Sequence, residues 1–123
     1  KYPDTYDATI DQGQEEQNAD ARPELASHIE NLDSYDVIFL GYPNWWGDMP
    51  MAVYSFLDEV DLSGKTIVPF VTSGGSGFSD TIRTIENMEP EATVQEGLAV
   101  SASGAANAQD QVTEWLSSLG YIA

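Results

Sequence analysis

Residues 35–48 read Y-D-V-I-F-L-G-Y-P-N-W-W-G-D and carry the pattern that decides the fold. The unbroken apolar run at residues 37–40 is typical of a strand covered on both faces, as strands of parallel sheets are. Pro43 and Gly47 interrupt the pattern soon afterwards. The stretch therefore predicts a buried strand over residues 35–42 that ends in an aromatic loop.

The residues downstream repeat this alternation of strand and helix. Asp48 is a candidate N-cap for a helix with one apolar stripe. Residues 66–72 (T-I-V-P-F-V-T) predict a second buried strand, against which Pro69 counts mildly because it cannot donate to a ladder. The apolar stripe consists of Val53, Phe56, Leu57 and Val60.

Two more helices and a weaker strand follow. Ser79 is a candidate N-cap for a helix that Pro90 ends, and residues 93–100 predict a polar edge strand. Asn107 can cap a last helix, with Gly120 suited to its C-terminal cap. Three strand-helix alternations imply an α/β fold with a parallel sheet and helices packed on its faces.

The N-terminal part is read differently. Residues 1–21 are acidic and polar and predict a loop. Pro23 suits a first helical turn, and Leu25, Ile29 and Leu32 have helical spacing, which predicts a short helix over residues 22–32. We expect a single domain over residues 1–123, with residues 1–21 as an acidic loop and residues 22–123 as the α/β core.

Composition excludes several classes of function. The chain has 123 residues, 21 acidic against 4 basic side chains, a formal charge of -17, one His and no Cys. Such a charge makes nucleic acid a poor partner, and the missing Cys removes disulfides, thiolate nucleophiles and iron-sulfur ligands. No metal site is expected, so redox chemistry would need a bound organic cofactor.

Hydropathy predicts a cytoplasmic protein. No apolar stretch approaches the ~20 residues that span a bilayer, and the first residues lack the basic-then-apolar pattern of a signal peptide. A targeting segment upstream of Lys1 would lie outside this sequence.

Both good strands end in unusual loops, and ligands of open parallel sheets bind at the carboxyl ends of the strands. Y-P-N-W-W-G offers two adjacent Trp side chains, and T-S-G-G-S-G offers hydroxyls, N–H donors and close backbone approach. Together they suit a flat heteroaromatic ring. The alternatives remain open: one Trp packs on the sheet edge with the other half exposed, and the glycine-rich stretch is a flexible turn.

Other motifs give little support for a particular function. Gly64-Lys65-Thr66 resembles the end of a P-loop, but Glu59 stands where the leading Gly belongs and a strand follows. The chain has no G-x-G-x-x-G after a strand. His28 has no nucleophile or second His nearby and is expected at the surface.

In the two strands and the loops that follow them, the sequence closely resembles the flavodoxin family, in particular a bacterial branch with P-x-W-W-G and P-F-x-T-x-G-G-S-G. The resemblance covers nearly the whole chain. It implies a three-layer α/β/α fold with sheet order 2-1-3-4-5 and FMN held non-covalently at the strand ends. The residues that it assigns to cofactor binding are Pro43, Asn44, Trp45, Trp46, Gly47, Thr72, Ser73, Gly74 and Gly75; it assigns no catalytic residue.

One departure from the family stands out. The family begins with a strand, a G-N-T loop that holds the FMN phosphate, a helix and a second strand, and this sequence contains none of them. We therefore expect an incomplete fold with weakened FMN binding, because several charge-assisted hydrogen bonds are missing. Residues 37–40 would also have an unpaired edge, which predicts a homodimer or a strand-exchanged assembly.

The resemblance thus implies an FMN-binding protein that acts in electron transfer or as an FMN-dependent oxidoreductase, with FMN affinity in doubt. Its acidic surface would steer a basic redox partner. The alternative is a cofactor-free interaction or scaffold module with the flavodoxin fold, or a fragment of a longer protein.

Overall fold

A computed structural model describes residues 2–122 as a parallel sheet flanked by helices. Lys1 and Ala123, which the predicted loop and domain include, lie outside the described residues. Short 3₁₀ helices span Leu32–Ser34 and Ala102–Asn107. In chain order the main elements are α1 (Tyr6–Asn18), β1 (Val37–Pro43), α2 (Met51–Glu59), β2 (Thr66–Ser73), α3 (Thr81–Met88), β3 (Thr93–Val94), β4 (Leu98–Ser101) and α4 (Gln109–Ser118).

The sheet is centred on β2. This strand pairs in parallel with β1 on one side, in a register that places Val37 opposite Thr66. On the other side it pairs in parallel with β3 and then with β4. The prediction of an α/β fold with a parallel sheet and helices on its faces is therefore confirmed.

The core lies where β2 meets α2 and α3. Ile67 and Val71 of β2 are fully buried, as is Ile85 of α3, and Leu57 of α2 is almost so. Ile38 packs against the same cluster from β1. Burying one such side chain contributes about 1.5–3 kcal/mol, so these apolar runs fix the strands and the helical stripes that the sequence predicts.

The prediction for the N-terminal part is wrong in two respects. Residues 6–18, predicted as loop, form α1, with the hydroxyl oxygen of Thr5 accepting from the N–H of Ala8 at 3.3 Å. Residues 22–31, predicted as helix, form no regular element. There Arg22 binds Asp58 across the fold, so tertiary contacts prevail over a weak helical pattern.

The predicted third strand divides into β3 and β4. Pro69 of β2 has no N–H to give to the ladder at this point, and β3 and β4 pair with β2 on either side of it. A Cβ atom on Gly97 would collide with the carbonyl oxygen of Pro69 and the ring of Phe78. Between β3 and β4 the backbone of Gly97 thus lies so close to Pro69 and Phe78 that only Gly fits at this position.

Three predicted helix caps are displaced. Asp48 does not cap α2, whose N-cap position is Pro50. Asp80 instead of Ser79 precedes α3. Asn107 belongs to the second 3₁₀ helix, and α4 begins two residues later.

β1 has a free edge within the part of the chain that the structure describes. The N–H of Thr66 donates to the carbonyl oxygen of Asp36, and the N–H of Asn44 donates to that of Thr72. Even-numbered residues of β1 therefore face β2, and the backbone groups of the odd-numbered ones face away. Beside this edge, Phe39 is 46% exposed and contacts Trp115 and Tyr121 edge-on.

Within residues 2–122, no helix has the length and apolar character needed to cross a membrane.

Candidate functional site

The loops after β1 and β2 converge on one cavity of about 480 Å³. This is the edge of a parallel sheet at which ligands bind. Seven of the nine predicted site residues line it, and Gly47 and Gly75 lie next to it in the chain without lining it. The complete lining is Tyr6, Thr9, Ile10, Gly13, Pro43, Asn44, Trp45, Trp46, Thr72, Ser73, Gly74 and Ala102.

Asn44 joins the two loops. Its backbone N–H donates to the carbonyl oxygen of Thr72 at 2.8 Å and so extends the ladder beyond β1. Its side-chain amide donates to the carbonyl oxygen of Gly77 at 2.9 Å and to the hydroxyl oxygen of Ser79 at 2.8 Å. The spacing between the aromatic and the glycine-rich walls is therefore set by one side chain.

The aromatic wall is a tight turn. Trp45 and Asp48 exchange backbone hydrogen bonds of 2.8 and 3.1 Å, and the turn between them has positive φ at Trp46 (55°) and Gly47 (75°). Positive φ suits Gly and is uncommon for a residue as bulky as Trp. Trp46 is 49% exposed, whereas Trp45 is half-buried. One Trp of the pair is thus presented at the surface, as expected.

Asp48 fixes the base of this turn. Its carboxylate accepts from the N–H of Met49 and from the hydroxyl of Tyr54, both at 2.7 Å. Burial, followed by the hydrogen bond to this carboxylate, raises the pKa of Tyr54 above its usual range. The Tyr54 hydroxyl therefore stays protonated and keeps donating to Asp48.

The glycine-rich wall is anchored from below. The hydroxyl oxygen of Ser73 accepts from the N–H of Gly77 at 2.9 Å. Within residues 2–122, no hydrogen bond is made by the backbone N–H groups of Gly74, Gly75 or Ser76. These three successive N–H groups remain available as donors, and of the three residues Gly74 lines the cavity.

A buried hydrogen-bond chain supports both walls. The hydroxyls of Tyr42 and Thr81 are 2.7 Å apart, and Thr81 donates to the carbonyl oxygen of Phe78 at 2.7 Å. Tyr42 is 5% and Thr81 1% exposed. This chain ties the end of β1 to the start of α3 and leaves neither hydroxyl unsatisfied.

Sequence reasoning missed the third wall, which α1 supplies through Tyr6, Thr9, Ile10 and Gly13. Gly13 is the buried residue of α1, and a Cβ atom there would lie 3.4 Å from Cε3 of Trp45. The cap at Thr5 and the helix-favouring run of Gln and Glu could have indicated this helix. Ala102, also missed, follows β4.

The cavity lining is uncharged. It combines aromatic faces and aliphatic groups with hydroxyls, one amide and backbone donors, and it contains no acid-base pair. Among the described residues, no group of three His, Asp or Glu side chains could hold a metal ion.

Tyr2 and Glu16 lie beside the aromatic wall without lining the cavity. At the back of the aromatic wall, Tyr2 contacts Trp45 edge-on at 5.0 Å between ring centroids. Burial, and then its hydrogen bond to Glu16, raises the pKa of Tyr2 to about 12.

A second, more open hollow lies apart from these loops and contains His28 and Arg22. His28 is exposed, as predicted, and its Nδ1 lies 2.8 Å from a carboxylate oxygen of Glu59. Arg22 binds Asp58 and lies over the ring of Tyr54, 5.0 Å from its centroid. These pairs fasten residues 22–28 to α2.

Comparison with known proteins finds similarity to flavodoxins. A model of the flavodoxin family matches residues 4–119. Flavodoxin from a Picosynechococcus species is 37% identical over 59 residues, which are 45% of this chain and 35% of that protein. The chain thus spans just over a third of that curated relative.

Three solved structures share the fold. A protein described as a flavoprotein from Bacteroides eggerthii has a TM-score of 0.72 and 32% identity, with 86% of this chain and 65% of that chain covered. One from Bacteroides uniformis has a TM-score of 0.71 and 27% identity, with 83% and 66% covered. A flavoprotein in complex with FMN from Lactobacillus acidophilus has a TM-score of 0.65 and 19% identity, with 86% and 71% covered.

Proposed function

Because the chain belongs to the flavodoxin family, we propose that it binds FMN in the cavity between residues 43–46 and 72–74 and takes part in electron transfer or FMN-dependent oxidoreduction. The observation that carries this proposal is the convergence of an aromatic wall and a donor-rich wall on one uncharged cavity of about 480 Å³. Bound FMN would supply the electron-transfer chemistry, and the protein would bind and orient it.

The cavity residues fit the ring of FMN. An isoalloxazine ring has large π-faces, which Trp45 and Trp46 can cover. Its polar edge carries several acceptors, which suit the free N–H group of Gly74 in the cavity lining. The hydroxyl of Thr72, which is exposed at the cavity, can donate or accept.

The same residues offer little to the phosphate. None of the described lining residues carries a positive charge, whereas phosphate recognition draws on charge-assisted hydrogen bonds of about 1.5–3 kcal/mol each. Ring contacts would therefore dominate the affinity, and weakened FMN binding stays a prediction.

The charge of the chain bears on its redox role. At a net -17, further negative charge on a bound ring is unfavourable, since two unit charges ~10 Å apart interact by roughly 0.4 kcal/mol in water and by more when partly buried. The proposed site would thus operate at low potential. A basic redox protein is the proposed partner, because opposite charge speeds encounter.

A cofactor-free interaction module is the second candidate. The free edge of β1 and the exposed ring of Phe39 favour it, because an open apolar edge is a template for pairing with another chain.

Titration of the purified protein with FMN separates the two. The proposal predicts saturable quenching of Trp fluorescence, since a flavin ring would lie against Trp45 and Trp46, and competition by riboflavin, which has the same ring without phosphate. No quenching at high micromolar FMN would reject the cofactor proposal and favour the interaction module.

A further inference from the structure

α1 is fastened to the molecule by very few contacts. Its partly buried or buried residues form its inward stripe, in which Ile10 is the one large apolar side chain and Gly13 alone is buried. The stripe consists of Thr9, Ile10, Gln12, Gly13, Glu16 and Gln17. A helix of 13 residues is marginal by itself in water. Its order must therefore come from specific contacts with the rest of the chain.

Two of these contacts are hydrogen bonds to Trp46, one to its indole ring and one to its backbone. The indole N–H of Trp46 donates to the carbonyl oxygen of Ile10 at 3.0 Å, and the side-chain amide of Gln17 donates to the carbonyl oxygen of Trp46 at 3.3 Å. Between them, Gly13 lies beside Trp45, at a distance where an added Cβ atom would be 3.4 Å from Cε3 of the indole ring. Trp46 has a backbone φ of 55°, an uncommon conformation that persists only where the surroundings hold it.

We propose that α1 acts as a strap, that is, a helix beside the cavity whose hydrogen bonds position Trp46. A ring bound against Trp46 in turn holds α1 in place. The first half stands on the two hydrogen bonds, and the second rests on the proposed function. Coupling between two sites is reciprocal. FMN bound against Trp46 would therefore stabilise docked α1 by the same factor by which docked α1 strengthens FMN binding.

The first half is tested in the ligand-free protein by hydrogen exchange of the α1 amides. Gln17→Ala removes the donor to Trp46, and Gln14→Ala makes the same change on the exposed side of the same helix. A lost hydrogen bond should speed α1 exchange about three- to tenfold in Gln17→Ala and leave it unchanged in Gln14→Ala. Equal exchange in the two variants would overturn the strap.

A second pair tests the indole contact. Trp46→Phe keeps an aromatic face and loses the N–H, and Trp115→Phe loses a comparable N–H bond to the carbonyl oxygen of Glu96, away from α1. Only Trp46→Phe should speed α1 exchange. If Trp115→Phe speeds it equally, general loosening explains the effect and the positioning role is wrong.

The second half uses FMN as the probe. In the unmodified chain, FMN should slow α1 exchange, and Gln17→Ala should raise the FMN dissociation constant about three- to tenfold, with Gln14→Ala unchanged. FMN that quenches Trp fluorescence without changing α1 exchange would overturn the coupling. If FMN fails to quench at all, the proposed function falls, and the ligand-free comparison alone decides the strap.

Discussion

The side-chain amide of Asn44 donates to the carbonyl oxygen of Gly77 at 2.9 Å, so the loop after β1 is tied directly to the loop after β2. The same amide donates to Ser79 at 2.8 Å. A proposed ring site needs its aromatic and polar walls at a fixed separation, and this one residue provides it.

Asn44→Asp keeps the size of the side chain and replaces its N–H donors by an acceptor that faces the Gly77 carbonyl. We expect a loss of about 0.5–1.5 kcal/mol in stability, since a partly buried hydrogen bond is replaced by repulsion, and weaker FMN binding. Urea unfolding and calorimetric titration measure the two effects. Asn87→Asp, at an exposed position of α3, is the control, and equal effects in both variants would deny Asn44 this role.

We expect Glu89 to make the stability of the protein depend on pH. It is 8% exposed, and its Oε1 has no hydrogen-bond partner within residues 2–122. Burial, opposed by a backbone hydrogen bond from Leu62 and assisted by Asp61 and Asp58, raises its pKa. Because the folded pKa is above the unfolded one, its contribution is complete below the unfolded pKa and is lost as pH rises through the folded pKa.

Glu89→Gln should therefore be more stable than the unmodified chain at pH 7, by on the order of 1 kcal/mol, and the difference should shrink towards acidic pH. Unfolding at pH 4, 5.5 and 7 measures it. Glu86→Gln, at an exposed position of α3, the helix that Glu89 follows, should show no such trend. A constant difference at all three pH values would mean that burial of Glu89 does not govern the effect.

Gly13 and Gly120 should respond to Ala in opposite directions. Gly13 lies inside α1, where a Cβ atom would make an ordinary contact of 3.4 Å with Trp45, so Gly13→Ala should stabilise the chain by about 0.5–1 kcal/mol. Gly120 has a φ of 85° after α4, so Gly120→Ala should destabilise it by about 1–2 kcal/mol. Thermal unfolding compares the two, and a destabilised Gly13→Ala variant would mean that α1 does not tolerate the added contact.

The expected homodimer through residues 37–40 stays a prediction. Val37 begins β1 and directs its N–H to the free edge, so Val37→Pro should raise the dimer dissociation constant at least about tenfold without unfolding the strand. Val37→Thr keeps the N–H and is the control. Because each chain carries a charge of -17, added salt should favour the dimer. Sedimentation at micromolar concentration measures this, and a folded monomer at high salt would count against pairing.

The sequence predicts the sheet and two walls of the cavity because those segments are decided locally. The apolar runs of β1 and β2 must be buried, and the loops that follow them must meet at one edge of a parallel sheet. The resemblance adds the identity of the proposed ligand, which the pattern of residues alone leaves at a flat heteroaromatic ring.

The third wall could not be predicted in the same way. The inward stripe of α1 is mostly polar, and its attachment depends on Trp46, which is 36 residues from Ile10. Conversely, Leu25 and Ile29 do have helical spacing, but Ile29 is 55% exposed, so this spacing does not bury an apolar face. Ion pairs such as that of Arg22 with Asp58 hold the segment instead. Both errors arise where tertiary contacts outweigh local pattern.

The central claim is that a flavin ring binds against Trp46 in the cavity between the two loops, and its most direct test is calorimetric titration of FMN into Trp46→Ala and His28→Ala. His28 lies in the other hollow, beside Glu59. Loss of one stacking face should weaken FMN binding by about 1–3 kcal/mol, or roughly five- to 150-fold, in Trp46→Ala and leave His28→Ala unchanged. Unchanged affinity in Trp46→Ala would contradict the account and make Trp45 the next candidate.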